Sequence, residues 1–242
     1  MTTRPRRTRR IAGASALAGL FLAIVGNAAM ADESFAQFLA ANPPLEDTVC
    51  AYTTTATSSE YPGETHVERF SPGNGWELKA INGEPPTPKA LKAYAKDADD
   101  RNRQRQQPAD LDFARMVRPD TARVVEEGDT TIVFAFTPDS PDAGRGRSMM
   151  EKMSGRLTVA KDGLRPLTYI AELTAPISPM PGTKFESFRQ EMTFAVEPST
   201  GASLMTTFDF AMRGTAFVFR KMDSEARIEA SDYDCVPRSS TE

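Results

Sequence analysis

The chain has 242 residues, 40% of them hydrophobic, with 33 acids against 29 bases and a single histidine, His66. One histidine excludes metal sites built on several imidazoles and leaves a Ser-His-Asp triad only one possible base. No G-x-S-x-G, Walker A, G-x-G-x-x-G or H-E-x-x-H pattern occurs after the first 31 residues, which argues against the cofactor-dependent enzyme classes and predicts no cofactor.

In chain order, the first element is an export signal. Five arginines fall in the first ten residues (Arg4, Arg6, Arg7, Arg9 and Arg10) with no acid, and an apolar run follows from Ile11 through Val25. Ala29-Met30-Ala31 fits a small-residue cleavage site, so residues 1–31 are expected to be removed and Asp32 to begin the mature chain. The apolar run is short for a bilayer span and is diluted by Gly and Ser, so no membrane-spanning segment is expected after cleavage. Ile11-Ala12-Gly13 after Arg9-Arg10 matches a twin-arginine signal poorly, which favours general secretion, to the periplasm or, alternatively, to the exterior. The first cysteine, Cys50, lies too far from the cleavage point for a lipid anchor. The mature part keeps 24 bases against all 33 acids, a formal charge of −9. Such a surface repels phosphate backbones and anionic head groups on average, and nucleic acid is not an expected partner.

The next residues, Asp32 to Asn42, carry Phe35, Phe38 and Leu39 at helical spacing and stop at Asn42-Pro43-Pro44, which predicts a short amphipathic helix. Strands are expected over Thr48 to Thr57, His66 to Phe70 and Trp76 to Ile81, the last ending at the turn Asn82-Gly83. Thr87 then caps a helix with Pro88 at its first position. Leu91, Tyr94, Ala95 and Ala98 form its packing face, and Asp97 to Gln107 form a solvated half with ion pairs Asp97/Arg101 and Asp99/Arg103.

After Pro108 the apolar period becomes two. Strands are expected at Val124 to Glu126, Ile132 to Phe136, Leu157/Val159, Leu167 to Leu173, Phe188 to Val196, Leu204 to Met212, Phe217/Phe219 and Ala226 to Cys235. About ten antiparallel strands with two or three helices predict a mainly β, α+β fold in which the sheet curls strongly and a helix packs into its concave face. Nothing between Asp32 and Glu242 reads as a long linker, so residues 32–242 are expected to form one domain. Cys50 and Cys235 are the only cysteines, and in an oxidising compartment they are expected to bond to each other, which places the first and last strands side by side.

The layout of helix, three strands, helix and long meander resembles the periplasmic lipoprotein carriers LolA and LolB. Trp76-x-Leu78-x-x-x-Asn82-Gly83-x-x-Pro86-Thr87-x-x-x-Leu91-x-x-Tyr94 and Gly155-x-Leu157-x-Val159 are similar to patterns in exported bacterial proteins of that type. The resemblance implies a strongly curved sheet forming an unclosed half-barrel with two or three helices as its lid, and a non-enzymatic protein that takes a lipid or lipoprotein ligand in it.

From the residues, the strongest site candidate is apolar. Met149, Met150 and Met153 follow a Pro-, Gly- and Ser-rich stretch inside Pro138 to Ser154, and methionine suits surfaces that accept varied apolar ligands. A lid bearing them over Phe134, Phe136, Phe194, Phe208 and Phe210 predicts a site for an acyl chain or other amphiphile; ordinary core packing is the competing reading. The other readings of the chain are an envelope protein-interaction or structural factor with a filled core, and a hydrolase without recognisable motifs. Of the paired acids, only Asp232 and Asp234 have same-face strand spacing, and charges that protect a sheet edge explain them better than catalysis does. His66 is expected to be a surface imidazole.

Overall fold

The computed structural model describes residues 33–45, 48–96, 111–139, 147–198, 200–217 and 220–237. The expected signal peptide, the solvated helix half Asp97 to Gln107 with its ion pairs, Phe219, and residues 140–146 of the methionine-bearing stretch lie outside these.

Twelve strands form one sheet: β1 Thr48–Ser58, β2 Thr65–Ser71, β3 Gly75–Ile81, β4 Arg123–Glu127, β5 Thr131–Phe136, β6 Met153–Ala160, β7 Arg165–Leu173, β8 Ile177–Met180, β9 Thr183–Val196, β10 Ser203–Ala216, β11 Arg220–Lys221 and β12 Ser224–Pro237. Their order is β3-β2-β1-β12-β10-β9-β7-β6-β5-β4, with β8 on β9 and β11 on β10. Every neighbouring pair is antiparallel, and among the described residues β3 and β4 end the order without pairing with each other, so the half-barrel is unclosed. The helical pieces are α1 (residues 33–41), α2 Pro88–Lys96, the single turns α3 Phe113–Met116 and α4 Arg147–Met150, and two short 3-10 turns.

β1 and β12 are neighbours in the middle of the order, with Cys50 opposite Cys235. The two are bonded, their Cα atoms 4.0 Å apart. That is closer than the usual disulfide range of about 4.4–6.8 Å. Directly opposed antiparallel residues approach to about 4.5 Å without a bridge, so strand pairing accounts for most of the closeness.

Register makes the inner face continuous. Phe134, Leu157, Tyr169, Met192, Phe208 and Ile228 stand in one row across β5, β6, β7, β9, β10 and β12. α1 lies against part of it, with Phe35 and Phe38 buried and their ring centroids 5.3 and 6.3 Å from that of Phe134. Burial of each ring contributes about 1.5–3 kcal/mol. The helix end is tied down by Asn42, whose Nδ2 donates to the carbonyls of Phe38 at 2.9 Å and Leu164 at 2.8 Å. α3 completes the cover: Asp112 caps it by accepting from Ala114 N, and Phe113 meets both Phe38 and Phe194.

Several sequence expectations change here. α2 begins as expected, with Ala90 N donating to Thr87 Oγ1, but it buries none of its residues, and Leu91 is 44% exposed. An amphipathic pattern identifies a sticky face without naming what covers it, and the helix that fills the sheet is α1. β8 was not expected, because Ile177-Ser178-Pro179-Met180 lacks alternation and carries a proline. It pairs only with β9, at the margin of the sheet, where proline is tolerated. The same-face spacing of Asp232 and Asp234 does not survive: a register shift opposite Ala51/Thr53 leaves Asp232 at a φ of 52°, which breaks the period of two.

Candidate functional site on the inner sheet face

The residues singled out from the sequence divide by depth. Phe134, Phe136, Met153 and Phe194 are buried in the main core. Phe136 lies 5.4 Å from the ring of Tyr169, and Met153 opens β6 rather than standing in a lid. Met149 and Met150 sit in α4, half-buried against the same cluster. Phe208 and Phe210 are half-buried on the inner face of β10, Phe208 against the core and Phe210 edge-on to Phe188 at 5.4 Å.

A strip follows from that register. Phe188 pairs with Met212 across β9 and β10, Phe208 pairs with Ile228 across β10 and β12, and all of them are half-buried. Phe188, Phe208, Phe210, Met212 and Ile228 therefore continue the inner-face rows beyond the part roofed by α1 and α3. Sequence reasoning missed Phe188, Met212 and Ile228 as site candidates. The alternation Phe208/Phe210/Met212 and Ala226/Ile228/Ala230 was the signal available for two of them, and their adjacency depended on the pairing.

Two phenols sit in or beside this wall. Tyr169 is raised in pKa, mainly by burial and against an opposing hydrogen bond with Gln190, and its hydroxyl lies 3.5 Å from the Met116 carbonyl. Tyr233, also raised by burial, donates to the Met205 carbonyl. Both phenols stay neutral at ordinary pH and add no charge to the wall.

The outer face is different in kind. Arg189 bridges Glu172 and Glu191, each at 2.8 Å, while Arg227 bridges Glu229 at 3.0 Å and Asp209 at 3.2 Å. Both guanidinium pKa values are raised, first by the hydrogen bonds to Glu191 and to Glu229 respectively. Arg189, Glu191, Asp209 and Arg227 line an open groove of about 530 Å³ with Thr57, Ser59 and Glu225. Exposed pairs of this sort contribute little to stability.

His66 hydrogen-bonds through Nε2 to Glu64 Oε2 at 2.9 Å and stacks on Tyr61. Glu126 and Glu127 are exposed and paired with Arg156 and Lys161. Among the described residues no group of three or more His, Cys, Asp or Glu side chains is placed to hold a metal ion, and no helix is long and apolar enough to cross a membrane.

No family model matches the chain, and no curated protein does. Among solved structures, a LolA superfamily protein of Nitrosomonas europaea is similar over 84% of this chain and 92% of that one, at 11% identity and a TM-score of 0.37. An isomerase-inactive variant of GphF DH1 is similar over 89% of this chain and 84% of that one, at 9% identity and a TM-score of 0.18. Neither likeness carries the functional argument, which rests on the side chains.

Proposed function

We propose that the chain is an exported, non-enzymatic protein that holds the apolar part of an amphiphile, such as an acyl chain or a lipid, against the inner face of its half-barrel. One observation carries this reading. Phe134, Leu157 and Tyr169 are sealed, whereas Phe208 and Ile228 in the same row, and Phe210 in the row beside it, remain half-exposed. A soluble protein rarely leaves a contiguous aromatic strip half-open without a use for it. Met149 and Met150 stand against the same cluster and supply an adaptable rim, and Phe134, Phe136, Met153 and Phe194 form the floor beneath α1. The signal-like residues 1–31, one mature domain over residues 32–242 and a periplasmic location complete the proposal, and the disulfide suits an oxidising compartment.

A second reading, a protein-interaction or structural factor with a filled interior, is favoured by α1, because Phe35 and Phe38 already occupy the place an acyl chain would take. Binding of dodecanoate, followed by native mass spectrometry and by displacement of a fluorescent naphthylamine, separates the two. The carrier reading expects stoichiometric binding that Phe208→Ser with Phe210→Ser weakens at least about tenfold. Absence of dodecanoate and dye binding at any concentration below micelle formation would sink it in favour of the second.

A further inference from the structure

Among the described residues, the two most exposed large apolar side chains sit on abutting turns. Met180 ends β8 and is 57% exposed; Phe217 follows β10 and is 71% exposed. Their turns abut: a Cβ placed on Gly182, itself at a φ of 79°, would stand 3.8 Å from the Phe217 Cα. Phe217 has a φ of 52°, a left-handed conformation that bulky side chains rarely adopt. An aromatic ring held outward on such a backbone is unfavourable twice over for a protein that stays in water.

The charge around these turns runs against that of the molecule. From Thr174 to Phe185 the only charged residue is Lys184, and from Phe210 to Met222 the charges are Arg213, Arg220 and Lys221; Glu186 and Asp223 immediately follow these segments. Register sets Lys184 and Lys221 on either side of Thr215, and Arg220 opposite Ala216 on the other face of the ribbon. Lys184 reaches Glu186 at 3.5 Å and Arg213 reaches Glu225 at 3.6 Å, both toward the body of the sheet, while Arg220 and Lys221 are exposed.

We propose that the paired turns at Met180 and Phe217 dock the protein on an anionic lipid surface. Two apolar tips enter the interface and the bases beside them meet the head groups, while the acidic remainder of the chain is repelled and stands off. This goes beyond ligand binding in the half-barrel and requires no ligand there. A planar negative surface fits the feature better than a protein partner does, because the apolar groups are two projecting tips rather than a groove.

The test is co-sedimentation of the mature chain with vesicles of phosphatidylcholine, with and without phosphatidylglycerol. Sedimentation with the anionic vesicles, reversed by salt, is expected. Phe217→Asn, which suits a left-handed backbone, and Met180→Ser should each weaken it about tenfold, and Lys221→Gln about fivefold. Failure to sediment with phosphatidylglycerol vesicles overturns the proposal, as does unchanged partitioning of Phe217→Asn. A dimer on size exclusion that Phe217→Asn dissolves, without vesicle binding, would also overturn it and assign the tips to a second copy of the chain.

Discussion

Gly155 of β6 lies directly across from Phe136 of β5, and a Cβ at Gly155 would stand 2.1 Å from Cε2 of the Phe136 ring. The ring covers the glycine, and its other neighbours, including Tyr169 at 5.4 Å between centroids, limit where it can go.

Gly155→Ala is therefore expected to destabilise the fold by about 1–3 kcal/mol, the usual cost of overpacking a filled core. Urea denaturation monitored by circular dichroism measures it. An unchanged midpoint would mean that Phe136 has a free alternative position.

Phe38 is the ring through which α1 meets both α3 and the sheet, touching Phe35, Phe113 and Phe134. Phe38→Ala should cost about 3–5 kcal/mol by the same measurement. If α1 also occupies the ligand's place, the variant should bind naphthylamine dye more tightly than the wild type, relative to the amount still folded.

The disulfide closes a loop with a sequence separation of 185. Constraint of the unfolded chain by such a loop contributes about 3–5 kcal/mol. Reductant should lower the urea midpoint of the wild type and leave that of Cys50→Ser with Cys235→Ser unmoved. Equal midpoints for the oxidised wild type and the double variant would contradict the estimate.

Tyr169 and Tyr233 both have pKa values raised above the ordinary 10.0. The folded state then holds protons that the unfolded state releases, so the associated stability is complete below about pH 10 and declines as pH rises toward the folded values. Ultraviolet titration should show Tyr169 and Tyr233 resisting ionisation until the protein unfolds. Ionisation of both in one reversible step near 10.0 in the folded protein would refute the burial argument.

Much of this architecture was legible in the sequence because it is local. Alternation in Phe188 to Val196 and Leu204 to Met212, the turn at Asn82-Gly83 and the cap at Thr87 follow from side-chain period and backbone preference, which neighbouring residues alone set. The pairing of β1 with β12 was legible for a different reason: with two cysteines bonded to each other, one covalent link makes a contact between the chain's ends unavoidable.

The tertiary structure decided the rest. A period of two says that Phe134 and Phe208 each face one side of a sheet, yet not that α1 seals the first and leaves the second half-open, because coverage is set by contacts between distant segments. The same holds for α2, whose apolar pattern is as clear as that of α1 but whose described residues stay at the surface. It holds equally for Met180 and Phe217, more than thirty residues apart in the chain, which became one feature only when two turns met at Gly182. Local chemistry selects strands and turns; which apolar residues end up covered depends on long-range pairing and on the loops that close it.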